Sequence, residues 1–105
     1  MNLKEGSMLY VRIDYKAGEK DETEQDAMDS MDYLQNIAKE RYLVAGLFGD
    51  MEIEKIDGAM ILFEAKDLEE AQKIANNDPI IVRGFYKCQL YKWNVMFLSK
   101  CICEK

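Results

Sequence analysis

The stretch from Gly58 to Pro79, GAMILFEAKDLEEAQKIANNDP, constrains the fold more than any other part of the chain. Its first eight residues are almost all apolar, which is typical of a strand covered on both faces. Asp67 stands where a helix N-cap is expected, with Glu70 three positions later. The Asp78-Pro79 step cannot continue a helix. The stretch therefore predicts a buried strand, a capped helix and a sharp exit from that helix.

A second strand pattern lies near the start of the chain, at residues 8–15, MLYVRIDY. Leu9, Val11 and Ile13 fall on one face by strand alternation, and Tyr10, Arg12 and Asp14 fall on the other. Two readings of the polar face remain open. Arg12 and Asp14, side by side, line a polar pocket or pair with neighbouring side chains.

The first helix is predicted from Thr23 to about Tyr42. Thr23 followed by Asp26 resembles a capping box, and acidic residues surround this end of the helix, where the helix dipole favours anions. Apolar residues recur at helical spacing and form a stripe. The stripe consists of Ala27, Met31, Leu34, Ile37 and Ala38.

The remaining elements complete a strand, helix, strand, strand, helix, strand order. This order predicts an α+β fold of the ferredoxin-like βαββαβ type with an antiparallel sheet. We expect a single domain over residues 1–105, with a core of about 8–95 and a tail of 96–105. The other predicted segments are a strand at Leu43–Phe48 closed by Gly49-Asp50, a linker or hairpin arm at 51–57, the Gly58–Ala65 strand, a connection at 78–83 and a last strand at Gly84–Val95.

The apolar character of Gly58–Ala65 also predicts self-association. One layer of helices covers only one face of a sheet, and a chain of 105 residues has no second sheet for the other face. A second copy of the chain supplies one. We therefore predict a homodimer with its two sheets packed face to face, a dimeric α+β barrel.

Charge and composition exclude several classes of function. The net charge is −6 and no block of Lys and Arg offsets it, which argues against nucleic acid as a partner. No apolar run approaches the ~18 residues of a membrane span, and the N-terminus has no signal-peptide core. We expect a cytoplasmic protein that does not bind membranes. Three cysteines, Cys88, Cys101 and Cys103, are an odd count that fits a reducing compartment.

The residues from Gly58 to Val95 resemble the second half of YciI-like proteins. The resemblance rests on a glycine, an apolar strand ending in Phe-Glu-Ala, a Leu-Glu-x-Ala-type helix, an Asp-Pro step and a Gly-aromatic strand ending near Trp. They are Gly58, Phe63-Glu64-Ala65, Leu68-Glu69-Glu70-Ala71, Asp78-Pro79, Gly84-Phe85 and Trp93. The resemblance covers about residues 8–95 and implies a dimeric ferredoxin-like barrel with a cleft between sheet and helices. It also implies small-molecule chemistry, including dehydrochlorination and related lyase reactions on ring compounds.

The family site pairs a histidine on the first helix with the aspartate of the Asp-Pro step. This chain has no histidine. The resemblance places Ser30 at the histidine position and Asp78 at the aspartate position, and these two are the predicted catalytic residues. A Ser-Asp pair lacks a group that titrates near neutral pH, so it cannot act as a His-Asp base does.

Polar tips around an apolar pocket are how small-molecule sites are usually lined, and Arg12, Tyr10, Tyr33 and Tyr86 are the predicted ligand-binding residues. Arg83 is a further candidate for a ligand carboxylate, although a surface ion pair explains it as well. Each candidate also has a purely structural reading. Asp78 then serves as a helix cap, Ser30 as an ordinary helix serine, and the tyrosines as core-edge residues.

No cofactor and no metal are predicted. Cys101-Ile102-Cys103 is the nearest approach to a metal motif, but zinc sites take four ligands and only Cys88 remains to help. Two functional hypotheses stand side by side. One is a small-molecule binder with lyase-like acid–base chemistry near Asp78, and the other is a non-catalytic dimeric binding or interaction module with a degenerate site.

Overall fold

Four antiparallel strands form one sheet in the order β2-β3-β1-β4, with helices connecting them, in a computed structural model of the protein. The structure describes residues 8–50, 52 and 55–97. The predicted tail, including Cys101-Ile102-Cys103, lies largely outside these residues. The elements are β1 (Met8–Lys16), α1 (Glu24–Ile37), β2 (Leu43–Asp50), β3 (Lys55–Ala65), α2 (Leu68–Asn76), α3 (Pro79–Val82) and β4 (Tyr86–Trp93).

The sheet has the order of a ferredoxin-like βαββαβ fold, which confirms the predicted α+β class. β1 is central and pairs antiparallel with both β3 and β4. Arg12 lies opposite Ile61 on β3 and opposite Leu90 on β4, so these three side chains share one face. We call this the helix face, since the core forms between it and the helices, and we call the other the open face.

The hydrophobic core lies on the helix face, where Tyr10, Leu34 and Phe63 are buried together with small residues of α2. Ala71, Ile74 and Ala75 bury one side of α2 as its apolar spacing predicts, while Leu68 stays half-exposed. Asp67 caps α2 by accepting a hydrogen bond from the Glu70 N–H at 2.9 Å. Burial of this helix therefore depends on small residues that allow close approach to the sheet.

The start of α1 agrees with the sequence, but its end does not. Thr23 and Asp26 form a complete capping box. The helix ends at Ile37 and not near Tyr42, because the following turn is held by contacts with the other half of the fold. The Tyr42 N–H donates to Glu64 Oε1 at 3.0 Å, and Arg41 pairs with Glu70 at 3.1 Å.

The apolar stripe of α1 is not packed as a continuous core. Leu34 is buried and Ile37 is half-buried against the core, whereas Ala27, Met31 and Ala38 are exposed. Ala27 and Met31 face a cavity between α1 and the sheet. The stripe therefore marks the wall of a cavity as well as a packing surface.

Three strand boundaries differ from the sequence prediction. β3 begins at Lys55, inside the segment predicted as a linker, and β2 continues to Asp50 through an irregularity between Phe48 and Gly49. β4 is shorter than predicted and covers Tyr86–Trp93. The extra ladder between β2 and β3 extends the sheet beyond the core. Residues of the two strands just before this extension, such as Leu47 and Ala59, line one side of the cavity.

The open face of the sheet carries exposed apolar side chains. Val44, Phe48, Tyr91 and Trp93 lie on it by register and each exposes between 43% and 52% of its surface. Met60 and Leu62 of β3 lie on the same face and are half-buried. Within one chain the middle of β3 is therefore buried on its helix face and only half-covered on its open face, and the predicted dimer stays a prediction. Within the described ranges no helix is long and apolar enough to cross a membrane.

Candidate functional site

A cavity of about 290 Å³ lies between α1 and the helix face of the sheet. Its walls are mainly apolar, with residues such as Met31, Leu34, Leu47 and Ile61, and five polar side chains interrupt them. This composition is typical of small-molecule sites, although the volume lies near the lower end of their range. The polar side chains are Arg12, Asp14, Glu22, Ser30 and Tyr86.

Arg12 and Asp14 form the most buried polar feature of the cavity. They stand two residues apart on β1, so strand alternation puts both on the helix face. Arg12 Nε donates to Asp14 Oδ1 and Arg12 Nη2 donates to Asp14 Oδ2, both at 2.7 Å. Each residue is 1% exposed. This bidentate pairing fixes both side chains in one orientation.

Asp78 completes this buried cluster from the other half of the fold. It is the N-cap of α3, where its Oδ1 accepts a hydrogen bond from the Ile80 N–H at 3.2 Å and Pro79 occupies the first turn. Its Oδ2 lies 2.9 Å from Arg12 Nη1, an ion pair whose angles fall outside those of a hydrogen bond. One guanidinium therefore faces two carboxylates, in a place where Asp78 is fully buried.

Burial and charge oppose each other in this cluster. Burial raises the pKa of Asp14, and the neighbouring Asp78 charge adds to the increase, while the hydrogen bonds and charge of Arg12 act against it. Burial acts to lower the pKa of Arg12, but Asp14 and Asp78 outweigh it and the pKa is raised. Arg12 is therefore firmly charged, and Asp14 is a stronger proton acceptor than an ordinary aspartate.

Glu22 and Tyr86 form a second polar pair, nearer the solvent. The Tyr86 hydroxyl donates to Glu22 Oε1 at 3.2 Å. Glu22 Oε2 is buried and has no hydrogen-bond partner among the described residues. Burial, followed by the Glu22 charge, raises the pKa of the Tyr86 phenol. This pair therefore offers the cavity an acceptor and not a donor.

Ser30 and Gly58 shape the remaining polar wall. Ser30 is 5% exposed on the inner side of α1, so its hydroxyl can donate to or accept from a molecule in the cavity. Gly58 lies against β1, and a Cβ there would collide with the Asp14 carbonyl oxygen. Glycine at this position allows β3 to approach the backbone that carries Asp14.

The structure brings three of the six predicted site residues to the cavity wall, Arg12, Ser30 and Tyr86. Asp78 lies behind Arg12 and is absent from the cavity lining. Tyr10 is packed in the core beside Phe63, with ring centroids 6.3 Å apart, and it does not line the cavity. Tyr33 also lies away from the cavity, because its hydroxyl donates to the Ile74 carbonyl of α2 at 2.7 Å.

Two lining residues, Asp14 and Glu22, were not among the six predicted catalytic and ligand-binding residues, although the sequence left open that Asp14 lines a polar pocket beside Arg12. Asp14 had a signal, since it shares a strand face with Arg12. No sequence signal pointed to Glu22, because it stands in the loop before α1 and only the fold turns it towards the cavity. Arg83 pairs with Asp26 at 2.7 Å and with Asp29 at 2.8 Å, so it ties α3 to α1 outside the cavity.

The described residues contain no group of three or more His, Cys, Asp or Glu side chains arranged to hold a metal ion. Cys88 is a half-buried free thiol on β4, opposite Asp14 in the ladder, and burial raises its pKa. The groups able to exchange a proton at the cavity wall are thus carboxylates and a phenol. This set can accept or donate hydrogen bonds and can remove a proton from an acidic hydroxyl.

Comparison with known proteins agrees with the fold and with the resemblance in sequence. The model of the YCII-related domain family matches residues 8–94. Among solved structures, the chain is similar to 5-chloro-2-hydroxyhydroquinone dehydrochlorinase from Burkholderia phenoliruptrix in complex with 2,5-dihydroxybenzoquinone. The TM-score is 0.61 at 15% identity, over 83% of this chain and 94% of that chain, a likeness of fold alone. No curated protein matches the chain by sequence.

Proposed function

The chain belongs to the YCII-related domain family, and from this premise we propose that it binds a small ring compound with hydroxyl groups in the cavity between α1 and the sheet. The observation that carries the proposal is the cavity itself. Apolar walls suit a ring, and a few fixed polar groups at one end suit its substituents. The similar structure from Burkholderia phenoliruptrix, a dehydrochlorinase in complex with a dihydroxybenzoquinone, supports this class of ligand.

The proposed activity is a lyase reaction that removes hydrogen chloride or a comparable group from the ring compound. Overall, such a reaction releases one proton and one chloride ion and leaves a quinone-type product. Asp14 is the proposed proton acceptor, because it faces the cavity and its pKa is raised. Ser30 is proposed to bond a substituent oxygen of the ligand.

Asp78 is proposed to act through Arg12. It is fully buried behind the guanidinium and does not line the cavity, so direct contact with a ligand is not part of the proposal. Its role is to fix Arg12 from the side opposite Asp14 while it caps α3. This makes Asp78 a positioning residue and not a catalytic one.

A titration with 5-chloro-2-hydroxyhydroquinone tests both the site and the reaction. We expect the amide NMR signals around the cavity to shift and chloride to appear in solution. Ala27 lines the cavity and Ala38 does not, so Ala27→Phe and Ala38→Phe are a matched pair. Ala27→Phe is expected to weaken binding by about tenfold or more, and Ala38→Phe to leave it close to that of the wild type.

Binding without chloride release would favour the second candidate, a non-catalytic binding module. That candidate is supported by the complete burial of Asp78 and by the absence of histidine from the sequence. If neither variant differed from the wild type in binding, the cavity would not be the site. If the wild type neither bound the compound nor released chloride, this class of ligand would be wrong.

We further propose that the protein is a homodimer joined through the open faces of two sheets. The exposed Val44, Phe48, Tyr91 and Trp93 make this face apolar, and another sheet can cover it. Sedimentation is expected to give twice the chain mass of 12.2 kDa. Val44→Glu should return the protein to the single-chain mass, while Leu47→Glu, on the opposite face of the same strand, should not. A wild-type protein of single-chain mass at micromolar concentration would contradict the dimer.

A further inference from the structure

We propose that the cavity favours ring compounds that are neutral or positively charged and that donate hydrogen bonds over ring carboxylates. This inference rests on the proposed function and names the chemical class of its ligand. It follows from the charges on the cavity wall, and from the fact that Arg12, the one cation among the described lining residues, already faces two carboxylates. The presence of an arginine in a pocket would by itself suggest the opposite preference.

Arg12 presents little surface to an anionic ligand, because it is 1% exposed and stands between two carboxylates. Nε and Nη2 donate to the two oxygens of Asp14 at 2.7 Å, and Nη1, which has no hydrogen-bond partner among the described residues, is buried 2.9 Å from Asp78 Oδ2. A ligand carboxylate would have to displace one of these buried carboxylates, which would then lose its counter-charge. Arg12 therefore neutralises the protein's own acids and is not an anion receptor.

Glu22 adds a further negative charge and an open acceptor. Its Oε1 accepts a hydrogen bond from the Tyr86 hydroxyl at 3.2 Å, so the donor that Tyr86 could have offered to a ligand is used. Its Oε2 is buried without a partner among the described residues. A buried acceptor without a partner is costly, and a ligand N–H or O–H placed there removes that cost.

The charges at the mouth of the cavity do not reverse this balance. Lys16 lies with its ammonium 5.9 Å from the centre of the Tyr86 ring, but it is paired with Asp21. Lys16 and Asp21 therefore offset each other beside Tyr86. In the cavity wall and directly behind it, the single Arg12 guanidinium stands against the carboxyl groups of Asp14, Glu22 and Asp78, so carboxyl groups outnumber cations among these residues.

Apolar walls strengthen the effect of this excess. Water screens charges poorly inside a cavity lined by alkyl groups, so a like charge is repelled more strongly there than at the surface. A hydroxyl or ammonium group meets acceptors instead. The Ser30 hydroxyl suits either class, because it can donate or accept, and thus does not discriminate.

Three probes of similar size test the inference: benzylammonium, benzyl alcohol and benzoate, each titrated into the full chain near pH 7 with amide NMR shifts as the readout. We expect benzylammonium and benzyl alcohol to shift the signals of cavity residues. Benzoate is expected to bind more weakly than benzyl alcohol by about tenfold or more. The chlorinated hydroquinone of the preceding test is titrated alongside as the reference for the site.

Glu22→Gln isolates the charge from the shape, because the amide has nearly the same size as the carboxylate. This substitution should weaken the binding of benzylammonium and strengthen the binding of benzoate. The ratio of their two affinities should therefore fall by about tenfold. Glu24→Gln removes the same charge from the exposed first turn of α1 and should leave all three affinities unchanged.

The outcomes separate this inference from the proposed function. If benzoate bound as tightly as benzyl alcohol, or if Glu22→Gln left the gap in affinity between benzylammonium and benzoate unchanged, the charge selection would be wrong while the ring-binding site stood. If none of the three probes nor the chlorinated hydroquinone shifted the cavity signals, the site itself would be wrong and the inference would fall with it.

Discussion

Arg12 and Asp14 are joined by two parallel hydrogen bonds of 2.7 Å on the inner face of the central strand, where each residue is 1% exposed. Such a pair is rarely placed in an interior for stability alone, because the loss of hydration offsets much of the attraction. Here it forms the floor of a cavity and shares its cation with Asp78. The relationship links the first strand to the Asp-Pro step of the second half of the fold.

Removal of the buried cation, Arg12, should strongly destabilise the folded protein. Arg12→Met leaves Asp14 and Asp78 buried with no counter-charge, and breaking a buried pair in this way costs about 3–5 kcal/mol. We expect a loss of that size in the free energy of unfolding, measured by urea denaturation at neutral pH. The control is Arg83→Met, which removes an exposed ion pair with Asp26 and Asp29 and should destabilise the protein far less, because solvent screens that pair. Equal losses in the two variants would contradict the structural role of Arg12.

Most local features of the fold follow from the sequence, but not every element boundary does. Strand order, the caps at Thr23, Asp67 and Asp78, and the face shared by Arg12 and Asp14 all follow from local pattern. The end of α1 does not, because Tyr42 is drawn out of the helical pattern by hydrogen bonds to Glu64. Helix propensity is weak against such tertiary contacts.

The site was less predictable than the fold, for a physical reason. Asp78 was identified by resemblance, but its approach to Arg12 depends on how α3 packs beneath the sheet, which no local pattern encodes. Tyr33 sits at a promising position in the sequence, yet the rotation of α1 turns its hydroxyl to the Ile74 carbonyl. The direction of a side chain on a helix is set by what the helix packs on, and sequence spacing gives only the relative order of its faces.

Gly58 and Gly46 should respond in opposite ways to the same substitution. Both line the cavity on neighbouring strands, but a Cβ at Gly58 meets the Asp14 carbonyl oxygen and a Cβ at Gly46 meets nothing within 4 Å. Gly58→Ala should therefore lower the free energy of unfolding by more than about 1 kcal/mol. Gly46→Ala should be neutral or slightly stabilising, because it reduces the freedom of the unfolded chain. Urea denaturation of both variants checks the pair, and a tolerated Gly58→Ala would show that β1 and β3 can separate.

The capping box of α1 should make stability depend on pH in the acid range. The pKa of Asp26 is lowered, first by the hydrogen bond from the Thr23 backbone N–H and then by the Thr23 hydroxyl, with Arg83 adding to the effect. A lowered folded-state pKa stabilises the protein above the unfolded value of about 3.9, and this contribution is lost as the pH falls through the lower folded value. The melting temperature of Asp26→Asn should thus lie below that of the wild type at neutral pH.

The gap in melting temperature should begin to close as the pH falls below the unfolded value of about 3.9 and should vanish only below the lower folded value, where the wild-type carboxylate is protonated as well. Asp32→Asn, an exposed change on the same helix, serves as the control and should show a smaller gap at neutral pH. A gap for Asp26→Asn that stayed constant down to acid pH would mean that the carboxylate charge contributes nothing at the cap.

Substitution of the two aspartates that share Arg12 should affect chloride release to different extents. Asp14→Asn removes the proposed proton acceptor at the cavity wall, and general-base catalysis is typically worth about 10² to 10⁴ in rate, so chloride release should fall by that range. Asp78→Asn keeps an oxygen for the Ile80 N–H and leaves the Arg12–Asp14 pair in place. It should reduce chloride release far less, while ligand binding persists in both variants. Urea denaturation shows first whether both variants are folded. If Asp78→Asn then abolished turnover and Asp14→Asn spared it, the base would be Asp78, and the cavity would have to open as far as its carboxylate during the reaction.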